Sequence, residues 1–187
     1  MRKIVVTEFL SLDGVMEGPG PDHDFKLAGW TMAYGSPEIG KYKYDELFAS
    51  DAQLLGRVTY QGFAAAWPGR KDEQGFADKM NGMAKYVVST TLQSVEWNNS
   101  SLIQAHVVQE IERLKGLPGQ DILVAGSASL VQTLMDHNLV DEYHLLVYPV
   151  VLGSGKRLFK DGSKAALKLV ESRAFGSGVV LLRYQPV

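Results

Sequence analysis

The sequence predicts an α/β fold: a mixed, mostly parallel sheet with helices on both faces and an antiparallel strand pair at its C-terminal end. Three observations lead there. Segments rich in β-branched and aromatic residues alternate with segments of helical period, the pattern of βαβ units. A run such as "ILVAG" is apolar throughout, as a strand covered on both faces is. The last two strand-like segments follow one another with only a turn near Gly176–Gly178 between them, which suits a hairpin.

The elements follow in order. "KIVVTEFL" (3–10) reads as a strand, and the Gly-, Pro- and Asp-rich stretch after it as a long loop. Ser36 is a plausible N-cap and Pro37 fits the first position of a helix with Ile39, Tyr42, Leu47 and Phe48 on its apolar face, weakened by Gly40. "AQLLG" is a short strand, "RVTYQGFAAAW" a helix ended by Pro68, and 76–83 a weak helix candidate. "KYVVST" is a strand; Val95–Trp97 and Leu102–Ile103 are short strand fragments. "AHVVQEIERLKGL" is an amphipathic helix closed by Gly-Pro signals, "DILVAG" a strand, "SASLVQTLMDHN" a helix and "DEYHLLVYPVVLG" a longer strand, a candidate edge or interface strand.

The 187 residues, 45% hydrophobic and 21% charged, suit one domain over 1–187. A formal net charge of -2 gives no general attraction to nucleic acid or an anionic membrane. The absence of cysteine excludes disulfides and thiolate metal sites and fits a reducing cytoplasm. No apolar run approaches the roughly 20 residues of a membrane span, and the N-terminus lacks the h-region of a signal peptide. A cytoplasmic protein is the expectation.

Ligands of open α/β sheets bind outside the carboxyl ends of the strands. Three such ends carry unusual residues: Gly56, Arg57 and Thr59 after "QLLG", Ser89 and Thr90 after "KYVV", and Gly126, Ser127, Ala128 and Ser129 after "ILVA". An arginine, hydroxyls and a glycine-opened helix N-terminus suit a phosphorylated ligand. Each serine read alone is a helix cap or turn residue; their conjunction at successive strand ends points to a nucleotide.

The segments "TEFLSLDGVME", "LLGRVTYQGF", "KYVVSTTL" and "ILVAGSASLVQTLMDHNLVDEYHLLVYPVVLGSGKRLF" together resemble the dihydrofolate-reductase-like family, in its branch of the riboflavin-biosynthesis reductase domain and stand-alone homologues. The resemblance covers nearly the whole chain. It implies a three-layer domain, NADPH across the strand ends, hydride transfer without metal or flavin, and a homodimer. Gly56, Arg57 and Thr59 would hold the adenosine half, with Arg57, Ser89 and Thr90 near the 2′-phosphate. Gly126, Ser127 and Ala128 would carry the pyrophosphate, although family members often have a second glycine where Ser127 stands. The loop from Ser11 to Val15 would approach the nicotinamide.

Asp13 is the carboxylate expected beside the reacting ring; "LDG" is equally an ordinary turn. Trp30 resembles the tryptophan that precedes the acid of a dihydrofolate reductase, but Gly35 stands where the acid falls and Glu38 is the nearest carboxylate, itself a good first-turn residue. The leading expectation is an NADPH-dependent reductase of a small heterocyclic substrate, resembling 5-amino-6-(5-phosphoribosylamino)uracil reductase. The alternatives are a dihydrofolate or pterin reductase using Glu38, and a nucleotide-binding module without turnover. "GSGKR" mimics a P-loop but reads as a turn. His23, His106, His137 and His144 lack metal-like spacing, and Asp141 and Glu142 read as surface or interface residues.

Overall fold

The computed structural model describes residues 1–21 and 24–187; His23 lies outside the described residues. Thirteen elements follow the predicted order: β1 (Ile4–Ser11), α1 (Pro37–Phe48), β2 (Ser50–Gly56), α2 (Arg57–Ala66), α3 (Phe76–Gly82), β3 (Ala84–Val88), β4 (Ser100–Ile103), α4 (Val107–Gly116), β5 (Asp121–Val124), α5 (Ala128–Asp136), β6 (Glu142–Tyr148), β7 (Leu167–Ala174) and β8 (Val180–Pro186). The strands form one sheet in the order β4-β3-β2-β5-β1-β6-β8-β7. The pairings from β4 to β6 are parallel, and β8 runs antiparallel to both β6 and β7.

Local chemistry sets the boundaries. Ser36 Oγ accepts the Ile39 N–H at 3.3 Å and Pro37 opens α1, as the sequence predicts. The strand expected through Gly153 stops at Tyr148, because Pro149 has no N–H to continue a ladder. The 95–97 fragment is not a strand; its backbone is held by Tyr60 Oη, which accepts the Glu96 and Trp97 N–H groups at 3.0 Å each. The 102–103 fragment belongs to edge strand β4.

Two apolar layers cover the sheet. Leu47 of α1, Tyr60 of α2 and Met80 of α3 pack with Val5, Leu55 and Leu123 on one face. Ile111 and Leu114 of α4 and Leu130, Val131 and Leu134 of α5 pack with Ile4, Leu54 and Ile122 on the other. The 141–153 segment is no edge: β6 lies between β1 and β8, and the edges are β4 and β7. Glu142 is consequently buried rather than a surface residue, and Asp141 is fastened too, accepting the Ile4 N–H at 2.7 Å and pairing with Lys115.

Strand order locates the site. The chain leaves β2 for β3 on one side and leaves β5 for β6 on the other, so connections from these adjacent strands diverge. Such a topological switch point opens a crevice at the carboxyl ends of the two strands.

Candidate active site

At that crevice the β2–α2 and β5–α5 turns touch. The Gly56 N–H donates to the Gly126 carbonyl at 3.2 Å. A Cβ on Gly56 would lie 2.2 Å from Ser127 Oγ and 2.9 Å from the Ser127 backbone nitrogen. Gly126 sits at φ +100°, where L side chains are strained, and a Cβ there would stand 2.8 Å from Thr59 Oγ1. The Gly126–Ser127 peptide is cis. Gly56 is therefore required by the close approach of the Ser127 backbone, and Gly126 by its positive φ and the Thr59 side chain.

Two helices start at this contact, α2 from Gly56 and α5 from Ser127, and neither cap residue makes a side-chain hydrogen bond to its helix. Their first-turn N–H groups and positive dipole ends face the same crevice. Ser127 Oγ instead lies 3.0 Å from Ser129 Oγ. The parallel register pairs Gly56 with Val88, so Arg57 and Ser89 follow side by side. Arg57 is exposed, hydrogen-bonded to Gln61 Oε1 at 3.0 Å and to no carboxylate among the described residues. Ser89 is buried, its hydroxyl accepting the Thr91 and Leu92 N–H groups, whereas Thr90 beside it is exposed. The nucleotide candidates Gly56, Arg57, Thr59, Thr90, Gly126, Ser127 and Ala128 thus lie at one end of three neighbouring strands. Ser89 shares the place with its hydroxyl committed to a turn.

The three candidates for the reacting end lie in or beside one apolar cluster that holds Trp30, Ile39, Phe175 and Leu152. Asp13 accepts from Ser11 Oγ at 2.7 Å and from the Leu152 and Gly153 N–H groups at 3.1 and 2.8 Å. The Ser11 hydroxyl above all, with those backbone donors, holds its carboxyl down at about 2. Asp13 is therefore an ionised acceptor that ties its loop to the 150–158 segment. Further ties are the Leu12 N–H on the Val150 carbonyl at 2.7 Å, the Val15–Arg157 bridge and the Lys156–Glu17 ion pair at 2.9 Å. The P-loop mimic is this clasp. Trp30 is buried, donates to the Glu17 carbonyl at 2.9 Å and meets Tyr148 edge-on at 5.3 Å. Glu38 is exposed and accepts the Gly176 N–H at 3.0 Å, in the β7–β8 turn at the opposite end of the sheet order from β2.

Among the buried ionisable side chains, three stand out. Glu8, in the middle of β1, is 7% exposed and its Oε1 has no hydrogen-bond partner among the described residues. Glu46 of α1 is held by Lys43, the Thr7 hydroxyl at 2.9 Å and His144 Nδ1 at 2.7 Å, and His144 Nε2 lies 3.0 Å from Glu142. Burial raises the Glu46 carboxyl, but Lys43 and His144 outweigh it and bring it down to about 2. Lys85 is 0% exposed, and its ammonium donates to the carbonyls of Asn81, Met83 and Asn98 at 2.8–3.0 Å. For Glu8 and Lys85 the signal was present: an ionisable residue inside a strand covered on both faces needs an explanation.

An α/β fold whose glycine-opened turns meet at the switch point of a mixed sheet belongs to the class of open-sheet proteins that bind ligands at strand ends. Comparison with known proteins supplies the particular family. The chain belongs to the RibD C-terminal domain family, whose model matches residues 2–181. It is 34% identical over 187 residues to the uncharacterized protein YyaP of Bacillus subtilis strain 168, covering 98% of this chain and 94% of that one. Among solved structures it is similar to a protein of Shewanella sp. PV-4 ascribed to riboflavin biosynthesis (TM-score 0.75, 20% identity, 99% of both chains). It is also similar to the dihydrofolate reductase of Enterococcus faecalis complexed with NADP(H) (TM-score 0.63, 14% identity, 98% of this chain and 96% of that one). The dihydrofolate-reductase-like fold expected from the sequence is thereby established.

Proposed function

We propose that this chain is an NADPH-dependent reductase of a small heterocyclic substrate, related to the riboflavin-pathway reductases. One observation carries the reading: the contact between Gly56 and the Gly126–Ser127 turn presents two uncapped helix N-termini beside an arginine with no carboxylate partner among the described residues. This cradle fits an anionic dinucleotide, because its donors are backbone N–H groups and a guanidinium and a side chain at either glycine would fill it. NADPH, when bound, supplies the hydride. In this reading Arg57 and Thr90 take the 2′-phosphate, and the N–H groups that follow Gly126 the pyrophosphate. Asp13, ionised and triply bonded, ties the 11–17 loop to the 150–158 segment and has no proton to give near neutrality. The family match and the NADP(H)-bound neighbour support the same reading. Homodimeric assembly in the cytoplasm belongs to it.

Fluorescence titration with NADPH and NADH tests the cofactor. NADPH is expected to bind at least about tenfold more tightly, a difference the Arg57→Ala variant erases. Equal wild-type affinities would remove Arg57 from the 2′-phosphate. NADPH oxidation is then screened against pyrimidine ribosyl phosphates, pterins, dihydrofolate and quinones; tight binding with no oxidation by any of them identifies a nucleotide-binding module.

A further inference from the structure

Glu8 is a charge-bearing side chain in the centre of the sheet to which the proposed chemistry gives no task. Its position is specific. A Cβ built on Gly126 would stand 2.8 Å from Thr59 Oγ1, 3.7 Å from Met16 Cε and 3.8 Å from Glu8 Oε1. Residues from α2, the loop after β1 and β1 itself therefore converge on one point against the glycine of the nucleotide turn. The carboxyl is buried there, and its Oε1 has no donor among the described residues. Negative charge on Oε1 would have no hydrogen bond among the described residues to stabilise it.

The charged groups that act on it both lie on α1: Lys43, which favours the anion, and Glu46, which opposes it. Across the strand its partner in register is apolar Leu145. Burial dominates and raises Glu8 well above the usual carboxylate range. A neutral carboxylic acid presents an O–H donor and a C=O acceptor side by side, the complement of an amide or lactam edge. Met16, an unbranched and flexible thioether, is the wall of the convergence point most easily moved.

We infer that Glu8 is a recognition residue of this site, a protonated carboxyl that pairs with the amide edge of the ligand seated against Gly126. The inference rests on the nucleotide reading of the crevice. Two ligands carry such an edge: a nicotinamide carboxamide and the lactam of a heterocyclic acceptor.

The test compares wild type with Glu8→Gln, which keeps a donor and an acceptor, and Glu8→Leu, which keeps neither. The probes are NADPH, 2′,5′-ADP (which lacks the nicotinamide) and lumazine, a pteridine with lactam edges. With a carboxamide partner, Glu8→Leu weakens NADPH by about tenfold and leaves 2′,5′-ADP unchanged, while Glu8→Gln stays near wild type. With an acceptor partner, lumazine binding is lost in the leucine variant and NADPH binding is not. Unchanged affinities for both in Glu8→Leu overturn the inference. A second measurement needs no leucine variant: the infrared difference between wild type and Glu8→Gln at neutral pH contains a protonated-carboxyl stretch that shifts on ligand addition. A missing or unmoved band overturns the assignment even if the leucine variant fails to fold. Failure of 2′,5′-ADP to bind wild type defeats the nucleotide reading itself, whatever Glu8 does.

Discussion

Replacing Gly56 by alanine isolates the contact on which the site is built. At φ −75° and ψ 161° an alanine backbone is unstrained, so the substitution on its own would gain about 0.5–1 kcal/mol by restricting the unfolded chain. Against that, the new methyl stands 2.2 Å from Ser127 Oγ and 2.9 Å from both Ser127 Cβ and Ser127 N. The first overlap is relieved by swinging the hydroxyl off Ser129, at the cost of about 1 kcal/mol for a lost hydrogen bond. The other two are with atoms that no side-chain rotation moves. They force the β2–α2 and β5–α5 turns apart, an overpacking cost of about 2 kcal/mol.

The net destabilisation of Gly56→Ala is therefore about 2 kcal/mol, a drop in Tm of roughly 4–8 °C for a chain of this size. NADPH affinity should fall by more than about tenfold, because two helix N-termini move relative to each other. Adding Ser127→Gly removes the Oγ and Cβ overlaps and leaves the one with nitrogen. Calorimetric melting of both single variants and the double variant should give a coupling of about 1 kcal/mol, favourable to the pair. A Gly56→Ala protein as stable as wild type, or strict additivity of the two changes, would refute the close approach of the turns.

Lys43→Met removes the ammonium beside Glu46; with Lys43 partly exposed and His144 still in place, the loss should be about 2 kcal/mol, read from the denaturation midpoint. Glu46, held down at about 2 against an ordinary 4.5, binds fewer protons folded than unfolded. Its contribution is thus complete above about pH 4.5 and lost as pH falls toward 2, so Tm against pH should decline there and decline less in Lys43→Met. Lys85→Met removes the ammonium donor from the carbonyls of Asn81, Met83 and Asn98, of which Met83 is buried, and should cost about 2 kcal/mol, with hydrogen-exchange protection lost first at Asn81–Lys85. Asp13→Ala frees the Leu152 and Gly153 N–H groups, which should exchange at least about tenfold faster while β1 stays protected.

Much of this architecture is legible because its determinants are local. Ser36–Pro37 starts α1, "DILV" makes a buried strand and Gly176–Gly178 turns β7 into β8, each within a few residues of the feature it decides. Gly56, Arg57 and Gly126 are visible for the same reason, since they sit at abrupt ends of apolar runs. Strand order is not local. It moved the 141–153 segment from an expected edge to the interior, and with it buried Glu142 and His144.

The stretch "LLGRVTYQGF" by itself determined the element types and the turn between them, because periodicity and turn chemistry need no distant partner. Only the tertiary structure decided which carboxyls carry charge. Glu46, although buried, meets His144 98 positions away and is held down as an anion. For Glu8 Oε1 the fold brings no donor among the described residues. The protonation of a buried group depends on solvent exclusion and on neighbours across the fold, which no stretch of sequence contains.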